Sequence, residues 1–109
     1  MKCMLKPVGE QTIVITGATS GIGLVTARKA ARRGAKLVLF ARNEDALNTL
    51  CEEIRQHGGL AVPVAGDVGN VEDLQRAAAK AADTYGGFDT WVNNAGVSIF
   101  GTAAAVPLE

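Results

Sequence analysis

Short runs of β-branched and aliphatic residues alternate with longer helix-forming stretches along most of this 109-residue chain, and glycine closes each helix-forming stretch. Residues 11–16 (QTIVIT) stop abruptly at Gly17 and are too few for a buried helix, so they read as a strand covered on both faces. Residues 21–33 are helix formers. Ala27, Ala30 and Ala31 offer a small-residue face, while Arg28, Lys29, Arg32 and Arg33 lie toward the end where the macrodipole favours cations, before Gly34. Residues 36–41 (KLVLFA) form a second strand. Asn43 then suits an N-cap, Glu44 and Asp45 put negative charge in the first turn, and Leu47, Leu50, Cys51 and Ile54 recur at helical spacing until Gly58 and Gly59. Residues 60–64 (LAVPV) are a third strand, placed at an edge because Pro63 removes a ladder donor. Asn70 caps another helix, with Val71, Leu74, Ala78, Ala81 and Tyr85 on one side and Gly86 and Gly87 at its end, and residues 88–93 supply a fourth strand.

Strands separated by single helices of this length build right-handed βαβ units on a parallel sheet, with ligands at the carboxyl ends of the strands. The expected fold is α/β, a Rossmann-type doubly wound parallel sheet in the order 3-2-1-4. The chain stops at residues 106–109, where another helix could begin, so the sheet is expected to be truncated after its fourth strand with one flank unpaired. Residues 1–10 read as a leader and residues 11–109 as one half-domain, since this length allows a single core.

Composition narrows the partners. Eleven Lys and Arg balance eleven Asp and Glu, which leaves no positive excess for nucleic-acid phosphates or an anionic bilayer. No apolar run approaches the ~20 residues of a membrane span, and residues 1–7 are followed by Gly9, Glu10 and Gln11 where a signal peptide would continue apolar. Cys3 and Cys51 have no Cys or His nearby at metal-ligand spacing, so no metal site is expected and reduced thiols in the cytoplasm are the economical reading.

The chemistry-bearing segment is Thr16-Gly17-Ala18-Thr19-Ser20-Gly21-Ile22-Gly23, between the first strand and the first helix. Gly17, Gly21 and Gly23 let the chain turn sharply and let backbone approach a pyrophosphate without a Cβ in the way. The free N–H groups of the helix start, Ile22 included, would face the phosphates, with hydroxyl donors from Thr19 and Ser20. A tight strand-to-helix connection without a ligand is the bland alternative.

The glycine spacing fits TGxxxGxG, and two further motifs follow in order: Asp67-Val68 after the third strand and Asn93-Asn94-Ala95-Gly96 after the fourth. In this combination the chain resembles the N-terminal half of the short-chain dehydrogenase/reductase family. The resemblance implies a parent enzyme that moves hydride between NADP(H) and a small carbonyl or secondary-alcohol substrate, and a homo-oligomer whose subunit contacts use helices beyond Glu109. It also implies that the Asp67 carboxylate and the Val68 N–H meet the adenine ring, and that Asn94, Ala95 and Gly96 line the ribose side. For Asp67 a turn-forming role stays open, and for Asn93 and Asn94 a purely structural one. NADP(H) is preferred to NAD(H) because Ala41 and Arg42 stand where an acid would repel a 2′-phosphate, and a guanidinium can bind one bidentately. A solvated Arg42 is the competing reading. The same residue counts against S-adenosylmethionine, another ligand of glycine-rich turns, whose ribose an acid would be expected to hold.

The family's catalytic pair, a tyrosine followed four residues later by lysine, has no counterpart here: Tyr85 is followed at that distance by Asp89 and precedes the fourth strand. No catalytic residue is assigned, and a non-catalytic NADP(H)-binding module or redox sensor remains the alternative. His57 falls at a helix end, Cys51 in an apolar stripe, and Ser98 has no partner base, so none is taken as functional.

Overall fold

The computed structural model describes residues 6–94. A 3-10 turn at Val8–Glu10 leads into β1 (Thr12–Thr16), followed by α1 (Gly21–Arg32), β2 (Lys36–Ala41), α2 (Glu44–Gln56), β3 (Leu60–Ala65), α3 (Val71–Tyr85) and β4 (Thr90–Asn93). The strands form one parallel sheet in the order β3-β2-β1-β4, as the alternation of strands and helices requires. Val14 of β1 sits between Val38 and Trp91, and Thr16 sits between Phe40 and Asn93. β3 occupies an edge, consistent with Pro63.

Alternation along each strand sends side chains to two cores. Ile13, Ile15, Leu37 and Leu39 pack against Ala27 and Ala30 of α1 and Leu47, Leu50, Cys51 and Ile54 of α2. Val14, Val38, Phe40 and Val64 pack on the other face against Ala77 and Ala81 of α3. Helices therefore cover both faces, which makes the sheet doubly wound. Complete burial of a side chain such as Leu47 or Phe40 contributes about 1.5–3 kcal/mol by removal from water. Burial also pushes the Cys51 thiol up to about 11 and raises the Tyr85 phenol, as expected of core groups. Among the described residues, no helix is long and apolar enough to cross a membrane.

Two details depart from the sequence reading. Val71 is 64% exposed in the first turn of α3, and Ala77 is buried in the sheet-facing stripe with Ala81. β4 begins at Thr90 instead of residue 88: Phe88 stays half in solvent with its ring edge-on to Trp91, and Asp89 spends its N–H on Thr12 O at 2.8 Å.

Candidate functional site

Among the described residues, α1, α2 and α3 begin in two different ways. Asn43 caps α2 by accepting from Ala46 N–H at 3.0 Å, and Asn70 caps α3 by accepting from Glu72 N–H and Asp73 N–H at 2.9 and 3.1 Å. Both helices also carry two acidic residues in the first turn. At α1 the N-cap is Ser20, extended, with no side-chain bond to the helix and no acid in the first turn. Among the described residues the amides of Gly21, Ile22 and Gly23 therefore have no acceptor, at the end of a helix where partial positive charge accumulates.

The turn before α1 is compact. Gly17 has φ 63° and Gly21 φ 53°, a region L side chains avoid. A Cβ at Gly23 would lie 2.0 Å from Gly17 O, so the helix seats directly on the turn. Buried Ala18 donates its N–H to Phe40 O at 3.2 Å and ties the turn to β2.

A cleft of 480 Å³ opens at the carboxyl ends of the strands, lined by Gly17, Thr19, Ser20, Arg42, Asp67, Val68 and Asn94 among others. Arg42 stands at its rim, exposed, directly after β2, and among the described residues it has no salt-bridge partner. Asp67 Oδ1 accepts from Gly69 N–H at 2.8 Å, so the turn-forming role left open for Asp67 is present in the geometry, yet the residue also lines the cleft. Thr16 Oγ1 donates to Asn93 Oδ1 at 2.7 Å and accepts from Asn94 N–H at 3.0 Å, which fixes the start of the Asn-Asn segment against β1. Asn94 Nδ2 is buried and, among the described residues, has no hydrogen-bond partner. Ala95, Gly96 and Ser98 lie outside the described residues. Gly17, Thr19, Ser20, Arg42, Asp67, Val68 and Asn94 thus converge on one cleft from four segments of chain, whereas Gly21, Ile22 and Gly23, which follow Ser20 at the start of α1, are not among its lining.

Sequence reasoning missed the contributions of Gly66 and Asp73. The Asp67 N–H donates to Asp73 Oδ2 at 3.0 Å, and Arg76, followed by that amide, holds the Asp73 carboxyl below the usual carboxylate range. A glycine immediately before Asp67 was the available signal of close approach. Residues set aside remain apart from the cleft. Tyr85 donates to Leu37 O at 3.2 Å near the amino ends of the strands, Cys51 is in the core, and His57 ends α2 with Nδ1 2.9 Å from Glu53 O.

Residues 11–109 match the short chain dehydrogenase family. The chain is similar to the uncharacterized oxidoreductase YxnA of Bacillus subtilis, with 56% identity over 108 residues, covering 99% of this chain and 30% of that protein. Among solved structures it is similar to L-sorbose reductase from Gluconobacter frateurii, complexed with NADPH and L-sorbose, at a TM-score of 0.76 and 38% identity over 80% of this chain and 34% of that one. It is also similar to a short chain dehydrogenase/reductase from Burkholderia phymatum in complex with NAD, at a TM-score of 0.72 and 36% identity over 74% of this chain and 29% of that one. The chain spans about a third of the length of these proteins. With the family match over nearly all of the chain and the parallel sheet both in place, the protein belongs to the short chain dehydrogenase family.

Proposed function

We propose that this chain is the dinucleotide-holding part of an oxidoreductase that uses NADP(H), acting on a small carbonyl or secondary-alcohol substrate in the cytoplasm. The observation that carries the reading is the first turn of α1, uncapped and free of acids where α2 and α3 are both capped and acidic. Backbone amides left open beside a cleft suit phosphate oxygens, and a carboxylate there would repel them. The cleft fits the group in two further respects. The lack of room for a Cβ at Gly23 against the Gly17 carbonyl keeps the turn and the helix start packed together, and Asn94 Nδ2, which has no hydrogen-bond partner among the described residues, would donate to a ribose hydroxyl.

When bound, the nicotinamide ring gives or takes a hydride at C4. The work of this chain is to bind and orient. The amides of Gly21, Ile22 and Gly23, with the hydroxyls of Thr19 and Ser20, would hold the phosphates. Asp67 and Val68 would hold the adenine, and Asn94, with Ala95 and Gly96 following it, would border the ribose. Arg42 would pair with the 2′-phosphate, a charge-assisted contact on the order of 1.5–3 kcal/mol. The neighbour from Gluconobacter frateurii is described with NADPH and that from Burkholderia phymatum with NAD, so the choice between the two rests on Arg42 and on the absence of an acid at Ala41.

The test is a pair of equilibrium titrations of the 109-residue chain, followed by nicotinamide fluorescence. NADPH should bind at least about tenfold tighter than NADH, and Arg42→Asp should reverse the order. Equal affinity for the two, unchanged in Arg42→Asp, would remove the NADP(H) assignment.

A further inference from the structure

The segment that leaves β3 is gripped one backbone group at a time. Arg76 Nη2 donates to Ala65 O at 2.9 Å, Gly66 N–H donates to Ala41 O at 3.0 Å, Asp67 N–H donates to Asp73 Oδ2 at 3.0 Å, and Asn70 N–H donates to Asp67 O at 2.9 Å. Arg76 Nη2 also donates to Asp73 Oδ1 at 2.8 Å. One charge-assisted pair on α3 therefore takes the carbonyl before Gly66 and the amide after it. Space closes from the same side, since a Cβ at Gly66 would meet Asp73 Cβ at 2.9 Å and Phe40 Cε2 at 3.0 Å. Residues 65–67 are left a single path between α3 and β2.

What this path presents to the cleft is a matched donor and acceptor. Asp67 Oδ1 is occupied by Gly69 N–H, and among the described residues neither Asp67 Oδ2 nor Val68 N–H forms a hydrogen bond. The Val68 side chain is anchored in the α3-side core. An acceptor beside a donor at fixed spacing complements a heterocycle with an exocyclic amino group next to a ring nitrogen.

We propose that Asp73, clamped by Arg76, is a positioning residue that sets the adenine-reading edge of the cleft by fixing the backbone of residues 65–67. The inference rests on the dinucleotide reading given above. An i,i+3 ion pair on a helix surface adds little to global stability. Its loss should leave the chain folded and release the loop, so the effect appears in base discrimination.

The discriminating ligand is the hypoxanthine analogue of NADPH, which carries a keto group in place of the adenine amino group and a proton on the adjacent ring nitrogen. The wild-type chain should bind NADPH about tenfold tighter than this analogue, the equivalent of one or two hydrogen bonds. Asp73→Ala should bind the two alike, whereas Asp73→Asn, which keeps an oxygen for the Asp67 amide, should retain most of the preference. Arg76→Gln should lower the preference as well, and it carries the test if Asp73→Ala does not fold. A folded Asp73→Ala or Arg76→Gln variant with the full wild-type preference would overturn the positioning role while leaving the dinucleotide reading intact. Failure of the wild-type chain to bind NADPH at all would overturn that reading and this one with it.

Discussion

Gly23 stands so close to Gly17 that a single added methyl carbon would lie 2.0 Å from the Gly17 carbonyl oxygen, with Ala18 Cα a further 3.3 Å contact. Neither neighbour is a movable side-chain tip. Gly23→Ala must therefore push the turn off the helix, at a cost of about 1–3 kcal/mol or more from overpacking. Gly58→Ala is the control. It has φ 89° and open space around it, so it carries only backbone strain, on the order of 1–2 kcal/mol. Urea denaturation should show both variants weakened, and NADPH titration should show binding lost in Gly23→Ala and kept in Gly58→Ala.

The contrast between helix caps gives a second expectation. Asn43→Ala removes the bond to Ala46 N–H and should cost about 1 kcal/mol of stability. Ser20→Ala removes no cap bond and should leave the denaturation midpoint in place while weakening NADPH by a few-fold, the worth of one hydroxyl hydrogen bond at about 0.5–1.5 kcal/mol. Paired measurements of midpoint and affinity on the two variants check it. A stability loss in Ser20→Ala as large as in Asn43→Ala would mean that Ser20 is a cap.

Asp89 predicts an acid limb in the stability profile. Its carboxylate accepts from Thr12 N–H at 2.9 Å and pairs with Lys6 Nζ at 3.0 Å, and these contacts, the amide first, hold it below the usual carboxylate range. A group depressed in the folded state stabilises above its unfolded value, about 4 for aspartate, and that stabilisation is lost as pH falls through the lower folded value. Thermal midpoints measured from neutral pH downward should therefore lie lower in Asp89→Asn near neutrality and converge with wild type in acid. Parallel profiles would contradict the contact.

Local signals made most of this fold legible. The β-branched run at residues 12–16, the helical spacing of Leu47, Leu50, Cys51 and Ile54, and the caps at Asn43 and Asn70 are each written within a few consecutive residues, and each appears in the structure. Val71 misled because periodicity counts positions and takes no account of what lies beneath each turn of a helix. The candidate cleft was legible where glycine spacing and strand ends mark it. It was silent where the partners come from distant segments: Thr16 meets Asn93 and Asn94 more than 75 positions away. Asp73, in turn, acts through backbone groups that no side-chain pattern reports. Gly66 hinted at a close approach beside Asp67, but which groups approach, Phe40 and Asp73, is visible only in the structure.

Among the described residues the amides opening α1 have no acceptor, which in the proposed function leaves them to a phosphorylated dinucleotide. A titration of the 15N-labelled chain with NADPH, observed by amide NMR, addresses this directly. The expected result is saturable shifts at Gly21, Ile22 and Gly23, with the capped amides of Ala46 and Glu72 unmoved. Saturable NADPH binding that leaves the three α1 amides where they were would contradict it.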